Sequence, residues 1–215
     1  MTAPRVAVLG AGNWGTALAN LLAKKGEDVL LWAWEEEVAR GINEAHENPL
    51  YLGGVALDER LRATSDVAEA VSGATSIVLV MPSQHTRRVL GSAAPHLRDD
   101  ALLVSASKGI ETSTLKTMAE VLEDVVPGHA AGAAFLSGPS FATEVATEEP
   151  TAVAVASRDA GAAERAQELF QTGYFRVYTN ADVMGVELGG ALKNIMAIAA
   201  GMSSGLGLGH NTVAA

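Results

Sequence analysis

Short apolar runs alternate with longer stretches of helical periodicity along the first 180 residues of this chain. The runs are rich in Val, Leu and Ala, which is typical of parallel strands that are buried on both faces. Strands are predicted at residues 6–9, 28–33, 62–65, 76–81, 101–105, 133–137, 151–156 and 175–178. Helices are predicted between them at 16–22, 35–45, 66–71, 114–125 and 159–170. This alternation predicts an α/β fold with a doubly wound, mostly parallel sheet.

The first predicted strand runs directly into a glycine-rich turn. Gly10, Gly12 and Gly15 have the spacing G-x-G-x-x-G and precede good helix formers. In such a unit the first glycine permits the tight turn, the second lets a pyrophosphate approach the backbone, and the third lets the helix pack closely. The free N–H groups at the start of the helix then face the phosphates. A Gly-rich turn can be only a turn, but this context favours a dinucleotide-binding, Rossmann-type domain.

An acidic cluster follows the second predicted strand. Glu35 lies 25 residues after Gly10, close to the spacing at which a carboxylate accepts hydrogen bonds from the adenosine ribose. Because a carboxylate there would repel a 2′-phosphate, its charge favours NAD over NADP. Glu36 and Glu37 are explained equally well as acidic residues in the first turn of a helix. Trp34 either stacks on adenine or simply packs at the end of the strand.

The pattern changes at residue 181, where a long apolar segment begins. Asp182 is the predicted N-cap of a helix over 183–202 that is apolar on nearly every face, and such a helix is expected to be buried. We therefore predict a dinucleotide-binding domain over 1–180 and the start of an all-α C-terminal domain over 181–215. Lys193 and Asn194 interrupt the apolar segment. A lysine there either reaches solvent along its stem or faces a functional cleft, where burial would suit it to proton transfer.

Composition and charge narrow the classes of partner. The chain is 48% hydrophobic and 19% charged, as in ordinary globular proteins. Its net charge of −10 argues against nucleic acid or an anionic membrane as partner. Residues 1–4 hold no signal-peptide core, cysteine is absent, and the apolar stretch at 195–202 is too short to span a bilayer. We therefore expect a cytoplasmic protein without a membrane span. His85, after the fourth predicted strand, is interpreted as a surface residue.

Longer motifs follow one another through the chain. They are GAGNWGTALA (10–19), MPSQ (81–84), SKGIE (107–111), SGPSFATEV (137–145), ELGGALKNIMAIAAGM (187–202) and GLGLGHNT (205–212). With these motifs the chain resembles the NAD(P)-dependent glycerol-3-phosphate dehydrogenase family. Members of that family interconvert dihydroxyacetone phosphate and sn-glycerol 3-phosphate, a precursor of glycerophospholipids. The resemblance covers the whole chain and implies a Rossmann-type domain followed by a helical substrate domain.

The resemblance implies a role for each matching residue. Lys193 is the implied catalytic lysine, which protonates the developing alkoxide, and Asn194 lies beside it. Lys108 is implied to contact both cofactor and substrate and to add positive charge near the carbonyl. The other implied contacts are Asn13 and Trp14 in the phosphate loop, Ala142 at the cofactor, and Gly138 and Ser140 at the substrate. The implied cofactor is NAD, with NADP less favoured by the segment WAWEEE, and no metal site is expected.

The resemblance also implies residues that this sequence does not contain. Family chains continue through a helical domain that supplies an Asp, a Ser or Thr and an Arg-Asn pair to the substrate and its phosphate. Position 213 is Val where the family usually has a basic residue. Lys108 and Lys193 alone would hold a phosphate dianion poorly. We therefore consider three hypotheses: a dehydrogenase or its cofactor-binding part, an inactive NAD-binding module, or an assembly protein. In the third, the apolar helix is buried against a second copy, and a homodimer is expected.

Overall fold

One eight-stranded sheet forms the centre of the computed structural model, which describes residues 6–214. Its strands are β1 (Val6–Leu9), β2 (Val29–Trp32), β3 (Arg62–Thr64), β4 (Ser76–Leu79), β5 (Leu102–Ser105), β6 (Ala134–Ser137), β7 (Thr151–Ser157) and β8 (Phe175–Asn180). They lie in the order β3-β2-β1-β4-β5-β6-β7-β8. Neighbouring strands are parallel except β6 and β7, which are antiparallel. The predicted α/β fold with a doubly wound, mostly parallel sheet is confirmed.

Helices connect the strands and cover the sheet. They are α1 (Asn13–Lys25), α2 (Glu36–Ala45), α3 (Val67–Val71), α4 (Ser83–Ala93), α5 (Met118–Val125), α6 (Pro127–Ala130), α7 (Ala142–Ala146), α8 (Ala160–Phe170), α9 (Val183–Gly205) and α10 (His210–Ala214). The predicted N-cap at Asp182 is confirmed. The side chains of Asp66, Asp159 and Asp182 accept hydrogen bonds from backbone N–H groups of α3, α8 and α9. Gly26 ends α1 in the left-handed conformation, at φ 104.

Strands β1, β2 and β5 are buried on both faces, as their continuous apolar runs predict, whereas β8 at the edge alternates buried and exposed residues. Successive residues of one strand point to opposite faces, so Val8 joins one core cluster and Leu9 the other. The first cluster also contains Leu18 of α1 and Phe170 of α8. The second contains Leu90 of α4, together with residues of α3 and α5. Helices on both faces therefore hold the strand ends in fixed positions.

The helix predicted over residues 114–125 is wrong at its start, because α5 begins only at Met118. The preceding residues form a tight turn that is closed by a bridge between Glu111 and Lys116. Thr117 and Glu120 then form a capping box, in which each side chain bonds the backbone of the other residue. Residues 106–117 are thus a loop, and they carry Lys108 away from the end of β5.

Burial of the long C-terminal helix was expected, and that expectation is wrong for the described residues. Only Val183 of α9 is fully buried, and α9 contacts mainly β6, β7 and α10. The helix has 23 residues and a mean hydropathy of 1.3, so it meets the length and composition of a membrane span, unlike the shorter stretch at 195–202 considered from the sequence. A core helix of a soluble protein meets the same criteria, so a single such helix is weak evidence. The expectation about residues 1–4 lies outside the described residues.

Candidate functional site

Polar and glycine-rich segments meet at the carboxyl-terminal edge of the sheet. Because β1, β2, β4, β5 and β6 run in parallel, the residues that follow them lie at the same edge. Gly10 follows β1, Glu35 lies just after β2, Pro82 follows β4, Lys108 follows β5 and Gly138 follows β6. In open α/β sheets, ligands bind at this edge where the strand order reverses. Here the reversal lies between β1 and β4, directly at the glycine turn.

Each of the three glycines of the turn is explained by a different structural requirement. Gly10 has φ +121, and a Cβ there would lie 2.8 Å from the carbonyl oxygen of Val80. A Cβ on Gly15 would overlap the carbonyl oxygen of Gly10. Gly12 is different, because a Cβ there would meet no atom of residues 6–214 within 4 Å. Gly12 is also the N-cap of α1 and has no side chain to cap the first N–H groups of the helix. This arrangement fits a pyrophosphate.

A loop after α2 supports the glycine turn through two asparagines. Asn13 accepts a hydrogen bond on Oδ1 from the Leu52 N–H at 2.6 Å. The buried Asn48 donates from Nδ2 to the carbonyl oxygen of Ala11 at 2.9 Å and to the hydroxyl of Thr16 at 2.8 Å. Asn13 therefore has a structural contact, in addition to its implied place in the phosphate loop. Sequence reasoning missed Asn48, because an asparagine in a Pro- and Gly-containing loop gives no spacing signal.

A cleft of about 460 Å³ extends from the glycine turn toward the end of β2. Its lining residues include Gly10, Gly12, Trp34, Glu35, Tyr51, His85 and Arg88. Glu35 accepts a hydrogen bond on Oε1 from the Tyr51 hydroxyl at 3.1 Å. This bond, together with the carboxylate charge, raises the pKa of Tyr51 above its ordinary value. Glu35 thus lines the cleft together with the glycine turn, whereas Glu36 and Glu37 occupy the exposed first turn of α2.

Trp34 and His85 both lie at the mouth of this cleft. Trp34 is 62% exposed and packs edge-on against Trp32, with ring centroids 6.2 Å apart. The guanidinium carbon of Arg88 lies 4.7 Å from the Trp34 ring centroid, a cation–π distance. His85 is exposed, as expected, although it also lines the cleft. An aromatic ring this exposed is available for stacking on a planar base.

Lys108 lies next to the glycine turn. Its Nζ is 5.2 Å from the centroid of the Trp14 ring and 3.4 Å from the hydroxyl of Ser140. Burial lowers the pKa of Lys108 below its ordinary value, and the positive charge of Lys193 lowers it further. Trp14 Nε1 is buried and has no hydrogen-bond partner within residues 6–214. The site therefore presents a cation and a hydroxyl, and these groups fit an anionic ligand.

Lys193 and Asn194 are exposed within the described residues, so burial of this lysine, one of the two alternatives given by the sequence, is not observed. The reason is that α9 rests on the sheet only through its first turns. A Cβ on Gly190 would lie 2.5 Å from the Ser137 hydroxyl and 3.8 Å from Lys108 Cγ, which shows how closely α9 approaches the end of β6. Lys193 follows one turn later, and its charge acts on Lys108. The two lysines lie on different elements, and α9 approaches Lys108 most closely at Gly190.

The remaining implied residues lie around this region. Gly138 is packed against β7, where a Cβ would lie 2.9 Å from Val153 Cα. Ala142 opens α7 and packs with Trp14 in a small apolar cluster. Among the described residues, no group of three or more His, Asp and Glu side chains could hold a metal ion. A dinucleotide at the turn and a small substrate between the two lysines are what this arrangement can hold.

Two sequence profiles match the chain. The profile described as NAD-dependent glycerol-3-phosphate dehydrogenase N-terminus matches residues 5–163, and the C-terminus profile of the same family matches residues 182–215. The chain is 54% identical over 214 residues to a Citrifermentans bemidjiense protein named glycerol-3-phosphate dehydrogenase, NAD(P)+, covering 99% of this chain and 64% of that protein. It is 56% identical to the Geobacter metallireducens protein of that name, covering 98% of this chain and 63% of the relative.

Solved structures with the same description share the fold. The crystal structure of glycerol-3-phosphate dehydrogenase from Coxiella burnetii superposes with a TM-score of 0.86 at 38% identity, covering 98% of this chain and 64% of that chain. The enzyme from Saccharomyces cerevisiae superposes with a TM-score of 0.83 at 30% identity, covering 98% of this chain and 65% of that one. This chain thus spans 63–64% of the length of the two sequence relatives described above.

Proposed function

Because the chain belongs to the NAD-dependent glycerol-3-phosphate dehydrogenase family, we propose that it transfers a hydride between NAD(P)H and dihydroxyacetone phosphate to give sn-glycerol 3-phosphate. One observation carries the proposal: Lys108 lies 5.2 Å from the ring of Trp14, directly beside the glycine turn, and Lys193 is close enough to lower its pKa. Two lysines beside a dinucleotide turn suit the reduction of a phosphorylated ketone. A role in supplying glycerophospholipid precursors belongs to the same proposal.

The proposed roles of the two lysines follow from the charge that develops during reduction. Bound NADH would supply the hydride that adds to the ketone carbon. Lys193 would donate a proton to the carbonyl oxygen as that oxygen gains negative charge, with Asn194 beside it. Lys108 would stabilise the same charge and contact the cofactor. In the reverse direction, Lys193 would accept the proton of the alcohol. Gly138 and Ser140 would line the substrate, and Ser140 already lies 3.4 Å from Lys108 Nζ.

The proposed cofactor is NAD rather than NADP. Glu35 lies in the cleft beside the glycine turn, and its carboxylate would repel a 2′-phosphate while accepting bonds from the ribose hydroxyls. The proposed cofactor contacts are Gly10, Gly12, Asn13, Trp14, Gly15, Trp34, Glu35, Lys108 and Ala142. Arg88 is a cation in the same cleft. Because this cation would attract a 2′-phosphate, titration with NADH and with NADPH has to decide the preference.

The proposed domain division lies between residues 180 and 181. The break between the two profile matches, at 163 and 182, supports it, as does the N-cap at Asp182. We also propose a cytoplasmic homodimer without a membrane span. The match of α9 to the C-terminal part of the family and the charged residues Glu187 and Lys193 within α9 support a helix that packs against protein.

Binding and turnover, measured separately, test the proposal. Isothermal titration with NADH should give a binding isotherm, and adding dihydroxyacetone phosphate should then oxidise NADH at a rate followed by its absorbance. Lys193→Ala should lower turnover by about 100-fold or more, the usual contribution of a positioned proton donor, with NADH affinity nearly unchanged. Lys24→Ala, at an exposed lysine paired with Glu148, is the matched control and should change neither the turnover nor the NADH affinity. A large loss of NADH affinity in Lys193→Ala would contradict the proton-transfer role.

A second candidate function is an NAD-binding module without dehydrogenase activity. Two features favour it: the exposure of Lys193, and the presence of only two lysines, with no arginine, around the proposed substrate position among the described residues. Such a module would bind NADH and leave dihydroxyacetone phosphate unchanged. Failure to bind NADH would instead exclude both functions.

A further inference from the structure

The loop over residues 106–117, called here the lysine loop, carries Lys108 but has little apolar anchoring of its own. Ile110 is only half-buried, Leu115 is 79% exposed, and residues 112–114 are exposed. Ala106 is its one fully buried apolar residue, so the rest of the loop needs other contacts to keep one conformation. The polar side chains of α4 supply these contacts, although α4 takes no part in the proposed chemistry.

Gln84, in the first turn of α4, holds the middle of the lysine loop. Its Nε2 donates a hydrogen bond to the carbonyl oxygen of Ile110 at 2.7 Å. Its Oε1 accepts bonds from the N–H of Thr112 at 3.0 Å and from the hydroxyl of Thr112 at 2.8 Å. The side-chain amide thus pairs with the backbone on both sides of Glu111.

Arg87, one turn further along α4, holds Glu111 itself. The guanidinium donates to both carboxylate oxygens, with Nε 3.0 Å from Oε1 and Nη2 2.9 Å from Oε2. Glu111 is only 4% exposed, and Thr114 donates its hydroxyl to the same carboxylate. The bond from Arg87 holds the pKa of Glu111 below its ordinary value. A buried carboxylate requires such partners, because an unpaired buried charge is strongly destabilising.

Further contacts fix both ends of the lysine loop. Arg87 Nη2 also lies 2.9 Å from Asp124 Oδ2, and that oxygen accepts a second bond from Lys116 Nζ. Gly109, directly after Lys108, has φ +121, and a Cβ there would lie 2.8 Å from the Ser83 hydroxyl. The loop is therefore pressed against the start of α4 immediately beside the lysine.

We propose that Gln84 and Arg87 are positioning residues, which hold the lysine loop against α4 so that Lys108 Nζ stays over Trp14 and beside Ser140. The proposal rests on the proposed function for the importance of Lys108, but the positional claim stands on the hydrogen bonds alone. Neither residue is a predicted contact of cofactor or substrate. Without this clamp the loop can move, and Lys108 would leave its half-buried position for solvent.

The titration of Lys108 tests the positioning directly and needs neither cofactor nor substrate. The chain has five lysines, so a protein labelled with ¹³C-lysine gives few ε-methylene signals, and Lys108→Arg assigns the one of interest. Since burial lowers the pKa of Lys108, its release should move the pKa up toward the ordinary value. Gln84→Ala and Arg87→Met should both show this upward shift. An unchanged Lys108 titration in the folded variants overturns the proposal.

A matched control separates positioning from general loss of stability. Arg98→Met removes an exposed arginine that pairs with Asp100 and lies outside the lysine loop, so the Lys108 titration should not change. An equal shift in Arg98→Met would overturn the proposal. Arg87→Met leaves the buried Glu111 carboxylate without its two hydrogen bonds from the guanidinium. If that variant does not fold, Gln84→Ala alone decides the test, because Gln84 is exposed and uncharged. A chain that binds no NADH still gives this result, so failure of the proposed function is distinguishable.

Discussion

Glu35 is the residue on which the choice of cofactor should depend. Reversing its charge with Glu35→Arg replaces repulsion of a 2′-phosphate by attraction, a difference of several kcal/mol for like against opposite charges. We expect the ratio of NADPH to NADH affinity to rise by at least about tenfold, measured by fluorescence titration with each cofactor. The hydrogen bond from Tyr51 is lost at the same time, so NADH affinity should fall.

Glu37→Arg is the control for Glu35→Arg, because Glu37 is exposed in the first turn of α2 and does not line the cleft. It makes the same change in net charge. The cofactor ratio should therefore stay near that of the unmodified chain. An unchanged ratio in Glu35→Arg would mean that this carboxylate does not face the ribose, and selectivity would then have to be sought at Arg88.

The sequence predicts residues whose spacing has one physical explanation, and it misses residues whose partners are distant in the chain. Gly10 and Gly15 could be interpreted in advance because the turn leaves no room for a side chain at either position. Contacts with other segments define the roles of Gln84, Arg87 and Asn48. The periodicity of the local sequence does not predict such contacts. Lys193 was recognisable as unusual, but its exposure depends on what covers α9, and the local sequence does not specify that.

At the scale of elements, two glycines of the β1–turn–α1 unit are expected to have different effects when they are replaced by alanine, one on stability and the other on cofactor binding. Gly15→Ala places a methyl group on the carbonyl oxygen of Gly10, so α1 must move, and we expect a loss of about 3 kcal/mol or more in the free energy of unfolding. Gly12→Ala meets no protein atom and should leave the thermal midpoint nearly unchanged. Its methyl group instead enters the proposed pyrophosphate position, so NADH affinity should fall by about tenfold or more.

Thermal unfolding and NADH titration of the two glycine variants test this prediction. Each variant is the control for the other, because both substitutions add one methyl group, at positions three residues apart. Equal effects on stability would contradict the structural difference between the two positions. Normal NADH binding by Gly12→Ala would contradict the proposed position of the pyrophosphate.

The docking of α9 on α5 should depend on pH through Glu187. Its Oε1 accepts a hydrogen bond from the Ala119 N–H at 3.0 Å, while its Oε2 is buried without a partner among the described residues. Burial raises the pKa of Glu187 above its ordinary value of 4.5. The stabilisation is therefore fully present below that value and is lost as pH rises through the folded-state pKa. Glu187→Gln keeps an acceptor and removes this titration.

We expect the stability of Glu187→Gln relative to the unmodified chain to increase as pH rises from about 4 to about 7. Urea unfolding at several pH values measures the difference. A difference that is constant or decreases with pH for Glu187→Gln would mean that the carboxylate is not desolvated at this contact.

Element type was predictable where the apolar pattern was long and regular, and less so where tertiary contacts decide. All eight strands were predicted, most of them from buried apolar runs. The direction of β7 was not, since a run of apolar residues is the same in either orientation. Helix α4 was missed, because its first turn follows Pro82 and carries polar residues that bond the lysine loop. Helix α5 starts late for the same reason, since Glu111 and Lys116 form a turn.

At the scale of the whole molecule, α9 leaves an apolar face without cover in the described structure. Ile195, Ile198 and Met202 are spaced three and four residues apart, so they share one face, and each is about 60% exposed or more. Exposed apolar patches of this kind mark interaction sites. In the proposed homodimer, a second copy would bury this face, and that burial would stabilise the dimer.

Self-association of the chain should therefore depend on this face of α9. Analytical ultracentrifugation over a range of concentrations is expected to show association of the unmodified chain. Burial of apolar surface between two copies stabilises the association by about 25 cal/mol for each Å² removed from water. Replacing Ile195, Ile198 and Met202 together by Gln keeps the net charge and should shift the chain toward monomer. Leu115→Gln removes an equally exposed apolar side chain from the lysine loop and should leave association unchanged. A monomeric unmodified chain, or a Leu115→Gln variant that dissociates as readily, would show that α9 is not what holds two copies together.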